Sequence, residues 1–321
     1  IFNRTFFMLC LSLNVISNRT IVMWFKNALI YRITKPLDWL IDTLAPQLEQ
    51  HRYQPCAQSD ILKFGWSTPL KGSESLYFAV GKQILLLAQK EEKMLPAHVI
   101  KRELDARVEK IEQAENRKLK KVEKQTLKDD VIATLLPRAF SKYQQTALWI
   151  DAENQLIYVD AASAKRAEET LALLRKSLGS LPVVPLTFAN EPGLVMQEWI
   201  AQTQVPEWLV PLEEAELRDV NNGVIRCKQH ALDSEDILSL VHSRYVTKLA
   251  LEWEDRLSFV LNEDCSLKRL KFADAVREKN DDILKEDYAQ RFDADFVLMT
   301  GLLSQLTENL LHDFGGEKMR L

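Results

Sequence analysis

The chain is poor in glycine, and its glycines do not form the phosphate-binding patterns of nucleotide enzymes. Only nine of the 321 residues are glycine, and neither G-x-x-x-x-G-K-[ST] nor G-x-G-x-x-G occurs. The metalloprotease motif H-E-x-x-H and the hydrolase motif G-x-S-x-G are missing as well. The sequence therefore gives no motif for a nucleotide-binding loop, a zinc-protease helix or a serine nucleophile.

Cysteine and histidine are also scarce. The four cysteines are far apart and contain no Cys-x-x-Cys pair, which argues against both a zinc site and a disulfide framework. The five histidines are scattered, without a partner at metal-ligand spacing. We predict no metal site, no cofactor and no catalytic residue, and we expect reduced thiols in a cytoplasmic protein.

Long apolar runs are missing too. The stretch from Phe6 to Ile16 is too short to span a bilayer, and no Ala-x-Ala-like cleavage site follows it. The chain starts at Ile, whereas Met23 opens an amphipathic strand beginning Trp24-Phe25-Lys26. We therefore expect residues 1–22 to be a non-native upstream extension, and we predict no association with membranes.

What the chain does contain is typical of a globular protein with two or three domains. Hydrophobic residues make up 46% and charged residues 27%, and the net charge is −4. Against this acidic background, the segment 117–128 carries six basic residues and one acid, Glu123. Such a cluster on one element is typical of nucleic-acid binding, although many charged helix faces are only solvated.

The pattern of apolar residues predicts an α+β fold with mixed sheets. Strands at 147–150 and 156–159 flank a polar turn and form a hairpin. Ser163 then caps a helix that ends at Gly179, and a strand follows at Val183-Val184. Farther along, the strands 246–253, 257–261 and 267–272 form a meander.

These elements suggest four structural parts after the extension. We assign residues 23–95 to the first part of a central α+β domain and residues 96–139 to a projecting helical tip. Residues 140–190 form the β-β-α-β remainder of the central domain, and residues 191–321 form a C-terminal α+β domain. The apolar face of the stretch from Pro96 to Leu136 is thin, so this stretch projects from the body or packs along a narrow seam.

Strand alternation places basic side chains on the meander. Lys248 lies opposite the face of Leu249 and should point to solvent. In the third strand, alternation puts Arg269 and Lys271 on one face and Lys268, with Leu270, on the other.

One weak enzymatic signal is present. Glu91-Glu-Lys93 directly follows the apolar run 84–88, and a strand ending in Glu-x-Lys with an upstream acid such as Asp60 is found in Mg²⁺-dependent nucleases. A charged turn before a helix that starts at Pro96 explains the triplet equally well. A Mg²⁺-dependent nuclease using Glu91 and Lys93 is therefore the alternative function, and a scaffold with solvated charged helices is a third.

Several segments together resemble one known family. They are Met23-Trp-Phe-Lys-Asn, Lys90-Glu-Glu-Lys-Met-Leu-Pro96, Arg117-Lys-Leu-Lys-Lys121, Leu135-Leu-Pro-Arg-Ala-Phe140, Ala162-Ser-Ala-Lys-Arg-Ala-Glu, Leu173-Leu-Arg-Lys-Ser-Leu-Gly-Ser-Leu-Pro-Val-Val-Pro185, Leu267-Lys-Arg-Leu-Lys-Phe272 and Gln290-Arg-Phe-Asp-Ala-Asp-Phe296. In this order they resemble the RdgC family of bacterial recombination-associated proteins, from Met23 nearly to the end. None of these segments is a catalytic motif.

The resemblance implies a protein that binds DNA without regard to sequence and catalyses no reaction. Two curved subunits would close into a ring-shaped homodimer around double-stranded DNA, with single-stranded DNA as a second candidate partner. Bound protein would restrain strand exchange by the recombinase RecA, and we expect the protein in the cytoplasm, on the nucleoid. Near Arg226-Cys-Lys-Gln-His230 this chain is less basic than the family usually is.

The candidate site residues follow from the charge pattern and the resemblance together. The resemblance assigns Phe140 to a subunit contact, with Leu135 and Leu136 as neighbours, whereas a core position for Phe140 is an equal alternative. The candidate DNA-binding residues are Arg117, Lys118, Lys120, Lys121, Lys124, Lys128, Arg138, Lys228, Lys248, Lys268, Arg269 and Lys271.

Overall fold

A computed structural model describes residues 24–35, 41–202, 204–280, 283 and 287–318. The expected extension 1–22 and the expected start at Met23 lie outside these residues. The described helices are α1 (Ile41–Glu49), α2 (Ala97–Glu115), α3 (Lys121–Leu135), α4 (Ala164–Leu178), α5 (Pro192–Ala201), α6 (Glu235–Val241), α7 (Asp274–Arg277) and α8 (Tyr288–Asp313). None of them is both long and apolar enough to cross a membrane.

The described strands form two sheets. The first sheet has seven strands, which are β1 (Leu29–Ile33), β2 (Leu62–Ser67), β3 (Tyr77–Val80), β4 (Gln83–Lys93), β5 (Ser141–Asp151), β6 (Leu156–Val159) and β7 (Val183–Pro185). Its order is β2-β4-β5-β6-β1-β7, with β3 also paired to β4. The second sheet has five strands, which are β8 (Leu209–Arg218), β9 (Val224–Lys228), β10 (Tyr245–Trp253), β11 (Leu257–Asn262) and β12 (Leu267–Phe272), in the order β12-β11-β10-β8-β9.

The α+β class is confirmed, but the expectation of mixed sheets is wrong. Every pair of described strands is antiparallel. Short turns join β3 to β4, β5 to β6, and β10 through β12, and such turns can connect only antiparallel neighbours. These pairs follow from short connections, whereas other pairs, such as β4 with β5, are joined through longer segments.

The first sheet is buried on both faces. One face packs against α1 and α4 through residues such as Leu44 and Leu171. The other face belongs to a core that also contains α8 and the second sheet, including Phe296 and Leu251. Tyr158 Oη on β6 donates to Thr307 Oγ1 on α8 at 3.0 Å, which ties the helix to the sheet.

Local signals are confirmed where the structure describes them. Ser163 Oγ accepts a hydrogen bond from the backbone of Arg166, and Gly179 ends α4 with a φ of 79°. The hairpin of β5 and β6 and the meander of β10 to β12 are present. The predicted strand after Met23 is shifted, because β1 begins at Leu29 and Ala28 instead forms a bridge with Leu267 of β12.

The helical stretch from Pro96 is divided into two helices. α2 ends at Asn116, which adopts a left-handed conformation with φ 49°. Within the described chain, α2 has no buried residue and α3 has only Val131, in agreement with the thin apolar face. The boundaries of the four predicted parts stay a prediction.

Candidate nucleic-acid interface

A basic groove lies on the face of the second sheet that points away from the core. It is open to solvent and has a volume of about 370 Å³. Its walls contain five basic and two acidic side chains, with apolar residues between them. These charged residues, which we call the basic groove, are Arg226, Lys228, Lys248, Lys268, Arg269, Glu214 and Glu216.

Four strands supply these side chains by simple alternation. Arg226 and Lys228 lie on β9, on either side of the buried Cys227. Lys248 lies on β10 next to the buried Leu249, so its prediction as an outward residue is confirmed. Because neighbouring strands lie about 5 Å apart, the side chains on one face form a continuous surface.

The third strand of the meander corrects the predicted alternation. The partner of β12 advances by two residues, from Ser258 to Val260, while β12 itself advances by three, from Lys271 to Lys268. This β-bulge leaves one extra residue, so both Leu267 and Leu270 point into the core. Lys268 therefore lies on the outward face, with Arg269 and Lys271, and not on the opposite face with Leu270 as alternation predicted.

Arg269 occupies the strained position of the bulge. Its φ is +53°, which is uncommon for a residue with a side chain. Segment 24–28 holds this position, since Ala28 and Leu267 exchange backbone hydrogen bonds of 2.8 and 3.0 Å and Leu270 N donates to Lys26 O at 2.8 Å. The surrounding structure thus fixes a conformation that costs about 1 to 3 kcal/mol.

The two glutamates of the groove hold its cations. Glu216 lies 2.8 Å from Arg226 and 2.9 Å from Lys248, and Glu214 lies 2.8 Å from Arg269 and 3.9 Å from Lys228. Burial opposes ionisation of Glu216, but the hydrogen bonds from Arg226 and Lys248 outweigh it and lower its pKa. Glu216 is therefore a carboxylate at neutral pH.

Lys268 sits at the inner end of the groove. Its Nζ donates to the carbonyl of Ala161 at 3.1 Å. Burial lowers the pKa of Lys268, while Asp264 and Asp160 oppose this shift. A half-buried ammonium group of this kind is a strong partner for an anion, because fewer water molecules solvate it.

The structure brings together four of the predicted DNA-binding residues. These are Lys228, Lys248, Lys268 and Arg269, and Lys271 is exposed on the same face beyond the groove. Arg138 is exposed in a 3₁₀ turn after α3. Arg226 and both glutamates were not among the residues predicted from the sequence, although the alternation of Glu214-Ala-Glu-Leu217 places the acids on one strand face.

The basic block at 117–128 lies elsewhere, at the turn between α2 and α3 and on α3 itself. Glutamates neutralise much of it: Glu112 pairs with Lys118 at 2.7 Å and with Lys124 at 3.2 Å. Arg117 pairs with Glu115 at 2.7 Å and Glu123 at 2.6 Å. Hydrogen bonds from Lys118 and the backbone of Leu119 lower the pKa of Glu112 to about 2.

The remaining three cations of the block, Lys120, Lys121 and Lys128, are exposed. Ion pairs across the turn thus connect α2 and α3. This pairing was not predicted from the sequence, because Glu112 precedes the basic block.

An apolar strip is exposed at the ends of β4 and β5. Phe140 is 81% exposed, so the alternative of a core position is wrong. Met94 and Tyr143 are also exposed, and Met94 N donates to the Phe140 carbonyl at 2.8 Å. Leu136 is buried within the subunit and Leu135 is half-buried, so of the three predicted interface residues Phe140 is the exposed one.

Glu91 does not have the surroundings of a metal ligand. Glu91 lies on β4, which continues to Lys93. The interpretation of Glu91-Glu-Lys93 as a charged turn is therefore wrong. The residue is 2% exposed. Its carboxylate accepts hydrogen bonds from four groups, which are Ser141 Oγ at 2.6 Å, Tyr53 Oη at 2.5 Å, Cys56 N at 2.8 Å and Tyr143 Oη at 3.2 Å.

These donors satisfy both oxygens of Glu91. Burial opposes ionisation, but the hydrogen bonds outweigh it and lower the pKa of Glu91 to about 2. Asp60 accepts from the backbone of Ala57 at 2.8 Å and pairs with Lys63 at 3.3 Å. Over the part of the chain that the structure describes, no group of three His, Cys, Asp or Glu side chains could hold a metal ion.

Known proteins share this sequence over nearly its whole length. A family described as "Putative exonuclease, RdgC" matches residues 23–317. The chain is 70% identical over 302 residues to the recombination-associated protein RdgC of Pasteurella multocida, an alignment that covers 94% of this chain and all of that protein. It is 68% identical over 302 residues to the protein of the same name from Haemophilus influenzae strain PittGG. That alignment covers 93% of this chain and 100% of the relative. The chain therefore belongs to the RdgC family of recombination-associated proteins.

Proposed function

We propose that this protein binds double-stranded DNA without regard to sequence, through the basic groove, and modulates recombination. The observation that carries the proposal is the β-bulge at Lys268 and Arg269. It directs both Lys268 and Arg269 to a sheet face that already carries Arg226, Lys228 and Lys248. Five cations thus converge on one surface of a chain whose net charge is −4.

The chemistry of the groove fits the phosphate backbone. Arginine and lysine neutralise phosphates and release counterions, and this contribution to affinity does not depend on base sequence. Contacts with phosphates fix position, whereas contacts with base edges would be needed to read sequence. Single-stranded DNA presents the same phosphates and is a second candidate ligand.

The exposed apolar strip supports a homodimer. A large aromatic side chain with most of its surface in water is a typical anchor for a protein partner. We propose that Phe140 contacts a second subunit, with half-buried Leu135 beside it, and that two subunits enclose DNA. DNA enclosed in this way is less accessible to the recombinase RecA, and a protein of this kind would lie on the nucleoid in the cytoplasm.

Duplex binding measured against salt concentration tests the proposal. The logarithm of the binding constant should fall linearly with the logarithm of salt concentration, with a slope of about −0.9 per neutralised phosphate. Lys248→Ala should weaken binding and make the slope shallower by about one. Lys82→Ala removes the same charge from an exposed turn of the first sheet. It should leave the affinity and the salt slope unchanged. A salt-independent affinity would contradict the proposal.

The effect on recombination has its own assay. RecA-catalysed strand exchange should slow as the protein is added, and Lys248→Ala should slow it less at the same concentration. Equal inhibition by the parent protein and by Lys248→Ala would show that any effect on RecA does not depend on the basic groove.

Exonuclease activity is the second candidate, because the description of the matching family names it. The saturated carboxylate of Glu91 disfavours it, since a metal ion would have to replace hydrogen bonds from Ser141 and Tyr53. We expect linear duplex DNA to remain intact after incubation with Mg²⁺ or Mn²⁺. Degradation that disappears in Glu91→Ala would establish the nuclease instead.

A further inference from the structure

The carboxylates of the basic groove lie beneath its cations. The side chain of Glu216 is 15% exposed, whereas its partners Arg226 and Lys248 are 67% and 45% exposed. Glu214 is likewise less exposed than Lys228 and Arg269. The acids therefore form the floor of the groove, and the donors of the cations remain open to solvent.

The positions of the two acids are matched. Glu214 and Glu216 lie two residues apart on β8, on one face of the strand. Each holds two cations, which come from β9, β10 and β12. Each carboxylate presents two oxygens and a single negative charge, as a phosphodiester does, so it offers the cations the same chemistry.

Five cations surround two carboxylates, so the groove keeps an excess of positive charge. The acids thus weaken the attraction for an anion without abolishing it.

Building on the DNA binding proposed above, we infer that Glu214 and Glu216 compete with DNA phosphates for the cations of the groove. This intramolecular competition sets the affinity and the salt dependence of DNA binding. In free protein they occupy the cations of the groove. When DNA binds, phosphates share or take over these cations at the cost of the existing ion pairs. Moderate affinity lets a protein that encloses DNA without regard to sequence be released again.

The test measures duplex affinity for Glu216→Gln and Glu214→Gln at several salt concentrations. Glutamine keeps the size and one carbonyl oxygen of the side chain but removes its charge. At about 150 mM salt each variant should bind roughly tenfold more tightly, which corresponds to about 1.4 kcal/mol. The salt slope should steepen by about 0.9 for each additional phosphate that is neutralised.

Glu213→Gln is the matched control. Glu213 lies on the same strand and is exposed, and it does not line the groove. The substitution changes net charge by the same amount, so it reports the effect of overall charge alone. Affinity and slope equal to those of Glu213→Gln would overturn the inference.

Two further outcomes are distinguishable. Circular dichroism and melting identify a variant that fails to fold; if Glu216→Gln is lost in this way, the more exposed Glu214→Gln decides the question. If the parent protein binds duplex DNA but the folded groove variants do not bind it more tightly, only this inference is wrong. Absence of duplex binding by parent and variants alike at low salt overturns the proposed function, and this inference with it.

Discussion

Glu91 of β4 joins two other segments of the chain. Its donors come from Tyr53 and Cys56 before β2 and from Ser141 and Tyr143 at the start of β5. Charged hydrogen bonds inside a protein are stronger than neutral ones, and a buried charge without them is costly. We therefore interpret Glu91 as the residue that holds the segment 53–56 to the sheet.

Glu91→Gln should destabilise the protein. The amide group would place its own N–H donors against the hydroxyl and backbone donors that now face the carboxylate. We expect a loss of about 2 to 3 kcal/mol in the free energy of unfolding, measured by denaturant titration. Glu92→Gln, at the exposed neighbouring position, should change stability by less than about 0.5 kcal/mol. Equal stability of the two variants would contradict this interpretation.

The lowered pKa of Glu91 predicts that the free energy of unfolding depends on pH. The pKa of Glu91 is lowered from 4.5 to about 2 in the folded protein. Its stabilising contribution is therefore complete above the unfolded pKa and is lost as pH falls from about 4.5 toward 2. The stability difference between parent and Glu91→Gln should shrink over this range. A difference that stays constant down to pH 3 would contradict the lowered pKa.

Gly65 makes the same arrangement possible from β2. A Cβ atom there would lie 2.7 Å from the backbone of His51 and Tyr53. Gly65→Ala should therefore displace Tyr53 from Glu91 and cost about 1 to 3 kcal/mol in thermal or denaturant unfolding. Gly301→Ala on α8 meets no atom within 4 Å and should leave stability unchanged or raise it by up to about 1 kcal/mol. Equal effects of the two substitutions would contradict the role of close packing at Gly65.

At the scale of elements, the bulge in β12 couples backbone strain to charge. One extra residue in the strand turns Lys268 and Arg269 to the same face. Bulges occur often at sheet edges and beside binding sites, where they redirect side chains. β12 is an edge strand of the second sheet, and its bulge directs basic side chains into the groove.

Arg269→Gly and Arg269→Ala separate these two contributions. Both remove the cation and should weaken duplex binding equally, as measured by salt-dependent titration. Only glycine adopts a φ of +53° without strain, so Arg269→Gly should be more stable than Arg269→Ala by about 1 kcal/mol. Equal stability would show that the bulge relaxes in the variants.

The hairpin of α2 and α3 shows how a charge run changes meaning in three dimensions. Six bases in twelve residues suggest an open polyanion-binding surface, yet Glu112, Glu115 and Glu123 hold three of them. Exposed ion pairs of this kind contribute little to stability individually, but they define the local geometry of the turn. Three cations of this block stay exposed, so we keep it as a second candidate for phosphate contacts beside the basic groove.

At the scale of the whole molecule, the core joins the two sheets through α8, while the apolar strip at Phe140 stays outside it. A side chain that packs within neither core can be removed without loss of the fold. For Phe140, we propose contact with a second subunit.

Phe140→Ala should retain the circular dichroism spectrum and melting temperature of the parent. It should weaken dimer formation by about 2 kcal/mol or more, measured by sedimentation. Retention on closed circular DNA should fall more than retention on linear DNA, since a closed ring cannot leave a circle by sliding off an end. Val122→Ala changes another exposed apolar residue, on α3, and should alter none of these. Unchanged assembly in Phe140→Ala would exclude this contact.

Much of the fold could be predicted because its signals are local. Ser163 and Gly179 bound α4, and polar turns separate the strands of the meander. β8 and β9 were missed, since their exposed faces are charged and their apolar alternation is interrupted. The candidate site was predicted in part: the basic residues of the meander were named, but the acids that pair with them were not.

The sequence by itself determined the elements with clear periodicity, the family and the scarcity of catalytic motifs, because each depends on residues close together in the chain. The tertiary structure alone decided which charges meet. Glu91 and its donors are up to 52 residues apart, and Glu214 and Arg269 come from β8 and β12, which are not neighbours in the sheet. The bulge at Lys268 also required the structure, because alternation predicts the faces of a regular strand and one inserted residue reverses them.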